Sequence, residues 1–279
     1  MNMKLKIAVV QFRINQYNPE DNLERMEFFI KKASNKADII IFPEDFLSGG
    51  LNDEKIIELA DTKGKYKCIF QKFAKKYNID IVAGSIIEKN RIGNFNVCYY
   101  IDSTGKIKGR YEKINLWLTE RKRIIPGNKI CVFNTRFGKV GLVICWDLMF
   151  PEIFRKIVKK GAKILFCPCL WYKSEDFKPY KKYNIDRERD NVNALCITRA
   201  EENNIVYIIT NAVGNLMTSG GCLDEAIGHS QITVPILGIL QKIGYKTEKM
   251  FIQEIDTDIL KCAEKAYEIR KDLKNRILY

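Results

Sequence analysis

A chain of 279 residues, 46% of them hydrophobic, is long enough to bury a sizeable core, and no apolar run approaches the roughly 18 residues of a membrane span. The formal net charge of +13 arises from lysines spread over several segments (31–36, 63–76, 155–163, 173–182 and 261–275) and mixed with carboxylates, which describes solvated helix faces rather than a nucleic-acid groove. Nine irregularly spaced cysteines with no C-x-x-C pair argue against a disulfide framework or a zinc site, so a soluble, cytoplasmic protein with no membrane and no nucleic-acid partner is expected.

Lys4 to Gln11 is predicted as a first strand, with Gln11 and Arg13 interrupting any signal-peptide pattern. A helix is predicted over Asp21 to Ala33, with Leu23, Met26, Phe29, Ile30 and Ala33 on one face. Ala37 to Phe42 follows as a buried strand stopped by Pro43. A helical stretch with Ile69, Phe70, Phe73, Ala74 and Tyr77 on one side then precedes a strand over Ile79 to Ile87. Strands near Phe95 to Ile101 and Lys106 to Tyr111, joined across Asp102-Ser103-Thr104-Gly105, make a hairpin.

After Pro126-Gly127, strands over Ile130 to Thr135 and Lys139 to Ile144 lead to a helix opened by Pro151, with Ile153, Phe154, Ile157 and Val158 on its apolar face. The rest repeats the theme: strand Lys163 to Cys167, a helix around Asp186 to Arg199, and strand Ile205 to Asn211. Short strands near Gln231 to Val234 and Phe251 to Ile255 and a terminal helix from about Asp258 complete it. The alternation is an α/β signature, and with no Gly-, Ser- or Pro-rich linker, residues 1–279 are expected to form one domain of mixed sheets with helices outside.

Several chemistries lack their parts. A Cys-His or Ser-His pair would depend on the single histidine, His229, whose place in Gly228-His229-Ser230-Gln231 suits a hydrogen-bonded structural role. Neither a Walker-type loop nor a G-x-G-x-x-G run occurs. Three segments remain. Val140 to Cys145 is an apolar strand ending at a thiol, followed by Trp146-Asp147 and a helix start, the layout of a nucleophile elbow; a cysteine there is also often plain core. Pro43-Glu44-Asp45 puts a carboxylate at a strand end, where open α/β sheets keep their sites, although a solvated loop acid has the same pattern. Lys113 ends the hairpin among aromatic and apolar groups, and taken alone it reads as a surface lysine.

Taken together and in order, these segments resemble the nitrilase superfamily of carbon–nitrogen hydrolases, from Ile7 to about Glu254. Phe42-Pro43-Glu44 is similar to the family's glutamate motif, Tyr111-Glu112-Lys113 to its lysine motif, and Cys145-Trp146-Asp147-Leu148-Met149-Phe150-Pro151-Glu152 to its cysteine motif. Glu120 matches a second glutamate found in many members, and Arg199-Ala200-Glu201-Glu202-Asn203, Asn211-Ala212-Val213-Gly214 and Gly228-His229-Ser230 agree with later stretches. Asn115, Gly50 and Met149 depart from the common pattern, and these changes bear on substrate rather than on chemistry.

The resemblance implies a four-layer α-β-β-α sandwich and a Glu44-Lys113-Cys145 triad, with Glu120 orienting Lys113 or the bound amide. It implies hydrolysis of a small-molecule amide or N-carbamoyl compound through a cysteine thioester, with no metal and no organic cofactor, and by analogy a homodimer or larger homo-oligomer. Cys145 would be the nucleophile, and the Trp146 backbone N–H and the Lys113 ammonium would hold the oxyanion. Trp117, Trp146, Phe150, Trp171 and Tyr172 are candidate pocket walls, although large aromatics at strand ends are as often core. Trp146-Asp147 is nearer the amidase branches than the Trp-Glu usual in nitrilases, which leaves nitrile hydrolysis, or a non-catalytic binding protein on this scaffold, as the other readings.

Overall fold

The first apolar run forms strand β1 (Lys4–Gln11), whose inner residues are buried on both faces because helices cover one side and a second sheet the other. The computed structural model of the protein describes residues 4–49, 55–173, 182–217, 221 and 223–275. Helix α1 (Pro19–Ala33) begins earlier than the apolar pattern predicts, because the Asn18 side chain accepts from the Asp21 N–H and Pro19 suits the first turn. The following strands are β2 (Ile39–Ile41), β3 (Asp80–Lys89), β4 (Asn94–Ile101) and β5 (Ile107–Glu112), with helix α2 (Lys65–Tyr77) between β2 and β3.

The second half supplies β6 (Cys131–Thr135), β7 (Gly138–Leu142), helix α3 (Pro151–Lys159), β8 (Ile164–Cys169), β9 (Tyr172–Lys173) and helix α4 (Arg187–Asn203). Then come β10 (Val206–Asn211), β11 (Val213–Met217), β12 (Leu223–Ile227), β13 (Gln231–Val234), β14 (Gly238–Lys242) and β15 (Lys249–Asp256). Helix α4 runs beyond Arg199 until Asn204 turns left-handed, and the terminal helix is two pieces, α5 (Asp258–Tyr267) and α6 (Ile269–Asn275), parted at the left-handed Glu268. Strands β9, β11, β12 and β14 have no counterpart among the sequence expectations.

Two six-stranded sheets result, ordered β15-β1-β2-β3-β4-β5 and β14-β13-β10-β8-β7-β6, with β11-β12-β9 as a small third sheet. Alternation along the strands sorts the core. Ile7, Val9, Ile39, Val82, Cys98 and Tyr100 join the second sheet in one apolar cluster, whereas Ala8, Val10, Ile40, Ile81 and Val97 join α1 and α2 in another. Between the sheets, Tyr100 meets Phe133 and Phe166 with ring centroids 5.1 and 6.2 Å apart; outside the second sheet, Phe154 of α3 covers Tyr207 at 5.7 Å. The layers are therefore helix, sheet, sheet, helix, the expected α-β-β-α sandwich.

This topology brings several strand ends together. β1, β2 and β3 are parallel, as are β7, β8 and β10, and the β3–β4–β5 meander returns β5 to the direction of β3. The residues just after β2, β5, β7 and β8 consequently converge at one end of the sandwich, where α/β folds place their sites. Pro168 is tolerated inside β8 because its last pairing with β7 is Leu142 with Phe166, so no β7 partner awaits the missing N–H.

Candidate active site

Glu44 lies two residues beyond Phe42, in a loop held by neighbouring backbone. Its N–H donates to Cys169 O at 3.2 Å, Ser85 N–H to Pro43 O at 3.3 Å, and Asp45 N–H to Ser85 Oγ at 3.1 Å. Gly84 permits this approach: it sits at φ +63° where β3 bulges, and a Cβ there would stand 2.1 Å from the Pro43 carbonyl oxygen. The Glu44 carboxylate is accordingly buried, not a solvated loop acid.

Lys113 follows β5 and is 2% exposed, which excludes an ordinary surface role. Its ammonium donates to Glu44 Oε1 at 2.8 Å and to both Glu120 oxygens at 2.9 and 2.7 Å. Glu120 stands on a 3-10 turn (Leu118–Lys122) and also accepts from Trp117 N–H at 2.7 Å. Burial by itself would push the ammonium down, but the charges of Glu120 and Glu44 outweigh it and hold Lys113 well above its usual range. Glu120 is pushed up by burial and by the charge of Glu44, against the pull of Lys113.

Strand β7 ends at Leu142 rather than Ile144, and a 3-10 turn over Cys145–Met149 separates it from α3. Cys145 takes the left-handed conformation at φ +46°, uncommon for a residue with a Cβ, so a sharp elbow presents its side chain. The N–H of Trp146, next in the turn, is one of the opening donors that such a turn leaves without an internal acceptor. Burial pushes the Cys145 thiol up to about 11; a hydrogen bond with Cys169 and the charge of Lys113 work against that rise, and Glu44, which also meets the thiol, adds to it. Sulfur, carboxylate and ammonium are thus near enough to act on one another.

Asp147 keeps the elbow in shape. Fully buried, its Oδ2 accepts from Ile144 N–H at 2.9 Å and from the Tyr111 hydroxyl at 2.6 Å, and its Oδ1 accepts from Asn115 N–H and Nδ2, both at 2.9 Å. The lysine hairpin and the cysteine turn are therefore tied through one carboxylate. Gly127 closes on the same hairpin, donating to Lys113 O at 2.8 Å with no room for a Cβ, which would lie 2.3 Å from Glu112 O.

Four of the five aromatics singled out from the sequence, all but Phe150, form a chain: Tyr172 lies 5.4 Å from Trp117, Trp117 6.4 Å from Trp146, and Trp146 5.4 Å from Trp171 between ring centroids. Trp171 is anchored by its indole N–H on Glu188 at 2.7 Å. Gly50 and residues 174–181, most of the segment 173–182, lie outside the described residues. His229 is separate from this cluster; its Nδ1 lies 3.1 Å from Asn193 Nδ2, and burial, with Lys242 and Arg189 adding, holds its imidazole down to about 4. No described helix is long and apolar enough to cross a membrane, and no group of three or more described His, Cys, Asp or Glu residues is arranged to hold a metal ion.

Two contributors had gone unremarked in the sequence. Asn96 of β4 donates to Glu44 Oε1 at 2.9 Å and to Glu120 Oε1 at 3.4 Å, and the Leu170 N–H at the end of β8 donates to Glu44 Oε2 at 2.8 Å. The first was accessible in principle, since Asn96 shares the parity of the inward-facing Cys98 and Tyr100 in an apolar strand. The second is a backbone contact and carries no residue-type signal.

Comparison with known proteins agrees with this architecture. The family model for carbon-nitrogen hydrolase matches residues 6–263. The chain is 31% identical over 278 residues to a 2-oxoglutaramate amidase of Bacillus subtilis, covering 97% of this chain and 100% of that protein. It is 30% identical over 276 residues to a probable nitrilase of Schizosaccharomyces pombe, covering 95% of this chain and 93% of that one. A carbon-nitrogen hydrolase from Helicobacter pylori shares the fold with a TM-score of 0.88 at 22% identity, over 99% of this chain and 96% of that one. With a family model spanning nearly its whole length, this chain belongs to the carbon–nitrogen hydrolase family of the nitrilase superfamily.

Proposed function

We propose that the protein is an amidase that hydrolyses the carbon–nitrogen bond of a small-molecule amide or N-carbamoyl compound, with Cys145 as nucleophile, Glu44 as the proton carrier and Lys113 as the oxyanion's charged partner. The observation that carries this reading is the buried Lys113 ammonium, within 2.9 Å of carboxylate oxygens of both Glu44 and Glu120, beside a thiol on a left-handed elbow. Full-length similarity to an amidase supports amide chemistry.

Pushed up by burial to about 11, the thiol is protonated at rest. Attack therefore needs a base in contact with sulfur, and Glu44 is placed to take the proton as sulfur bonds to the amide carbon. The negative charge moves to the carbonyl oxygen, where the Lys113 ammonium and the Trp146 N–H meet it; a single such donor is worth roughly 2.7–4 kcal/mol in the transition state. Glu44 then hands the proton to the departing nitrogen as the carbon–nitrogen bond breaks, leaving ammonia or an amine and a Cys145 thioester. Water, losing a proton to Glu44, attacks the thioester and releases the acid, or a carbamate that decomposes, and the proton returns to sulfur.

Glu120 carries no proton in this scheme. Its two oxygens fix the direction of the ammonium, and Trp117 N–H fixes Glu120. The chain of Tyr172, Trp117, Trp146 and Trp171 forms the apolar wall beside the elbow. Ammonia release over a panel of amides, N-carbamoyl compounds and one aliphatic nitrile tests the reading: turnover of at least one amide or N-carbamoyl compound, abolished in Cys145→Ala, is expected. Turnover of the nitrile alone, or full activity in Cys145→Ala, would overturn it.

A further inference from the structure

We propose that Asn96 is a positioning residue of this reaction, whose side-chain NH2 bridges the carboxylates of Glu44 and Glu120, keeps that pair from taking up a proton and holds Glu44 aligned to receive the Cys145 proton. The inference rests on the amidase reading above. Asn96 Nδ2 lies 2.9 Å from Glu44 Oε1 and 3.4 Å from Glu120 Oε1. The same two oxygens accept from Lys113 Nζ at 2.8 and 2.9 Å, so a charged donor and a neutral one serve the same pair. The two donors are also locked in register, because Lys113 N–H donates to Asn96 O at 2.9 Å.

Two carboxylates that share one ammonium retain a net negative charge, and like charges at close range favour proton uptake by one of them. An NH2 group donating to both offsets that tendency, and does so most when both are ionised. A proton on Glu44 would block the step in which it accepts from sulfur. The amide's orientation follows from its partners, since the reverse flip would set its carbonyl against carboxylate oxygens.

A purely cohesive role does not account for the residue. Asn96 is 2% exposed and its Oδ1 has no hydrogen-bond partner among the described residues, so only its donor end is used. Its inward-facing neighbours Cys98 and Tyr100 belong to the apolar core, and leucine would suit that surface better if packing alone decided.

The other groups around the pair are Lys113 after β5, Cys145 and Asp147 on the turn after β7, and Cys169 at the end of β8. Burial pushes both thiols up, to about 11 for Cys145 and well above the ordinary value for Cys169, so neither titrates in the acid range. Burial also raises Asp147, but its oxygens bond Tyr111, Ile144 and Asn115, not Asn96. The shift on losing Asn96 therefore belongs to the Glu44–Glu120 pair as a unit.

The test is kcat/KM for the best amide of the panel from about pH 4 to 9, with thermal midpoints, for wild type, Asn96→Leu and Asn96→Ser. Leucine keeps the volume without the donor, and serine keeps a polar group too short to bridge both carboxylates. The expected result is an acid limb moved up by about one pH unit, equivalent to a roughly tenfold loss on that limb relative to each variant's own plateau, with a midpoint near that of wild type. An acid limb at the wild-type position in either folded variant overturns the proposal, as does failure of both variants to fold. Absence of amide turnover in the wild type instead removes the amidase reading, and this inference with it.

Discussion

Replacing Lys113 by methionine tests the electrostatic arrangement in a way that does not depend on knowing the substrate. Methionine approximates the volume of the lysine stem, so the change is mainly the loss of a charge rather than a cavity. The ammonium it removes lies 2.8 Å from Glu44 and 2.7 Å from Glu120, in a side chain only 1% exposed. Breaking a buried ion pair by deleting one partner costs about 3–5 kcal/mol, because the remaining charge stays buried. With an unfolding entropy of about 2.1 cal/mol/K per residue, 279 residues give about 0.6 kcal/mol/K, so this loss lowers Tm by about 5–9 °C.

The same substitution has a signed pH dependence. In the native protein, Lys113 pulls Glu120 down against the upward push of burial and of Glu44. Without it the folded Glu120 carboxyl rises further above its unfolded value. A group raised in this way supports stability below its unfolded pKa, and that support is lost as pH rises through the folded pKa. The Tm deficit of Lys113→Met against wild type should therefore be smaller near pH 5 than near pH 8. Thermal unfolding followed by circular dichroism at the two pH values reads it directly. Equal midpoints at pH 8, or a deficit that does not grow between pH 5 and 8, would refute the reasoning.

Other expectations bear on the elbow and its supports. Cys145→Gly should be more stable than Cys145→Ala by about 1 kcal/mol, since φ +46° strains any residue with a Cβ; equal midpoints in denaturant would remove the strain argument. Asp147→Ala strips the buried Ile144 N–H, Asn115 N–H and Tyr111 hydroxyl of their acceptor, so a loss of about 3 kcal/mol or more and a fall in kcat are expected in urea titrations and steady-state assays. Gly84→Ala drives a Cβ to 2.1 Å from the Pro43 carbonyl, so amide turnover should drop by at least about tenfold, and an unaffected rate would show that the Glu44 loop tolerates displacement. Iodoacetamide alkylation of resting Cys145, read by peptide mass, should keep accelerating with pH beyond 9, because the thiol titrates near 11; a plateau below pH 8 would contradict that value.

The elements that end at chemistry were the most legible part of the chain. Ile39 to Phe42 and Val140 to Ile144 are apolar runs broken by Pro43-Glu44 and by Cys145-Trp146, and alternating burial gave the strands and the sandwich their faces. Burial of Lys113 was not legible from its own segment. It depends on Glu44 and Glu120, distant by 69 and 7 residues along the chain, arriving at one point. Strands β11 and β12 were missed because Val213 to Met217 and Leu223 to Ile227 are short, carry Gly214, Asp224 and Glu225, and pair mainly with each other. The end of β7 was placed too late because Val143 and Ile144 are as buried as a strand while already leaving the ladder. Aromatic positions alone did not say that Trp117, Trp146, Trp171 and Tyr172 would touch; contact between strand-end loops of different strands decided that.

The central claim is that a covalent bond forms between Cys145 and the acyl part of an amide. Mixing the wild-type protein with a turned-over amide, quenching in acid within milliseconds and measuring intact and peptide masses tests it most directly. The account predicts a mass increase equal to the acyl group on the peptide holding Cys145, absent from Cys145→Ala and discharged by neutral hydroxylamine. An acyl adduct on another residue, or turnover that persists in Cys145→Ala, would contradict it.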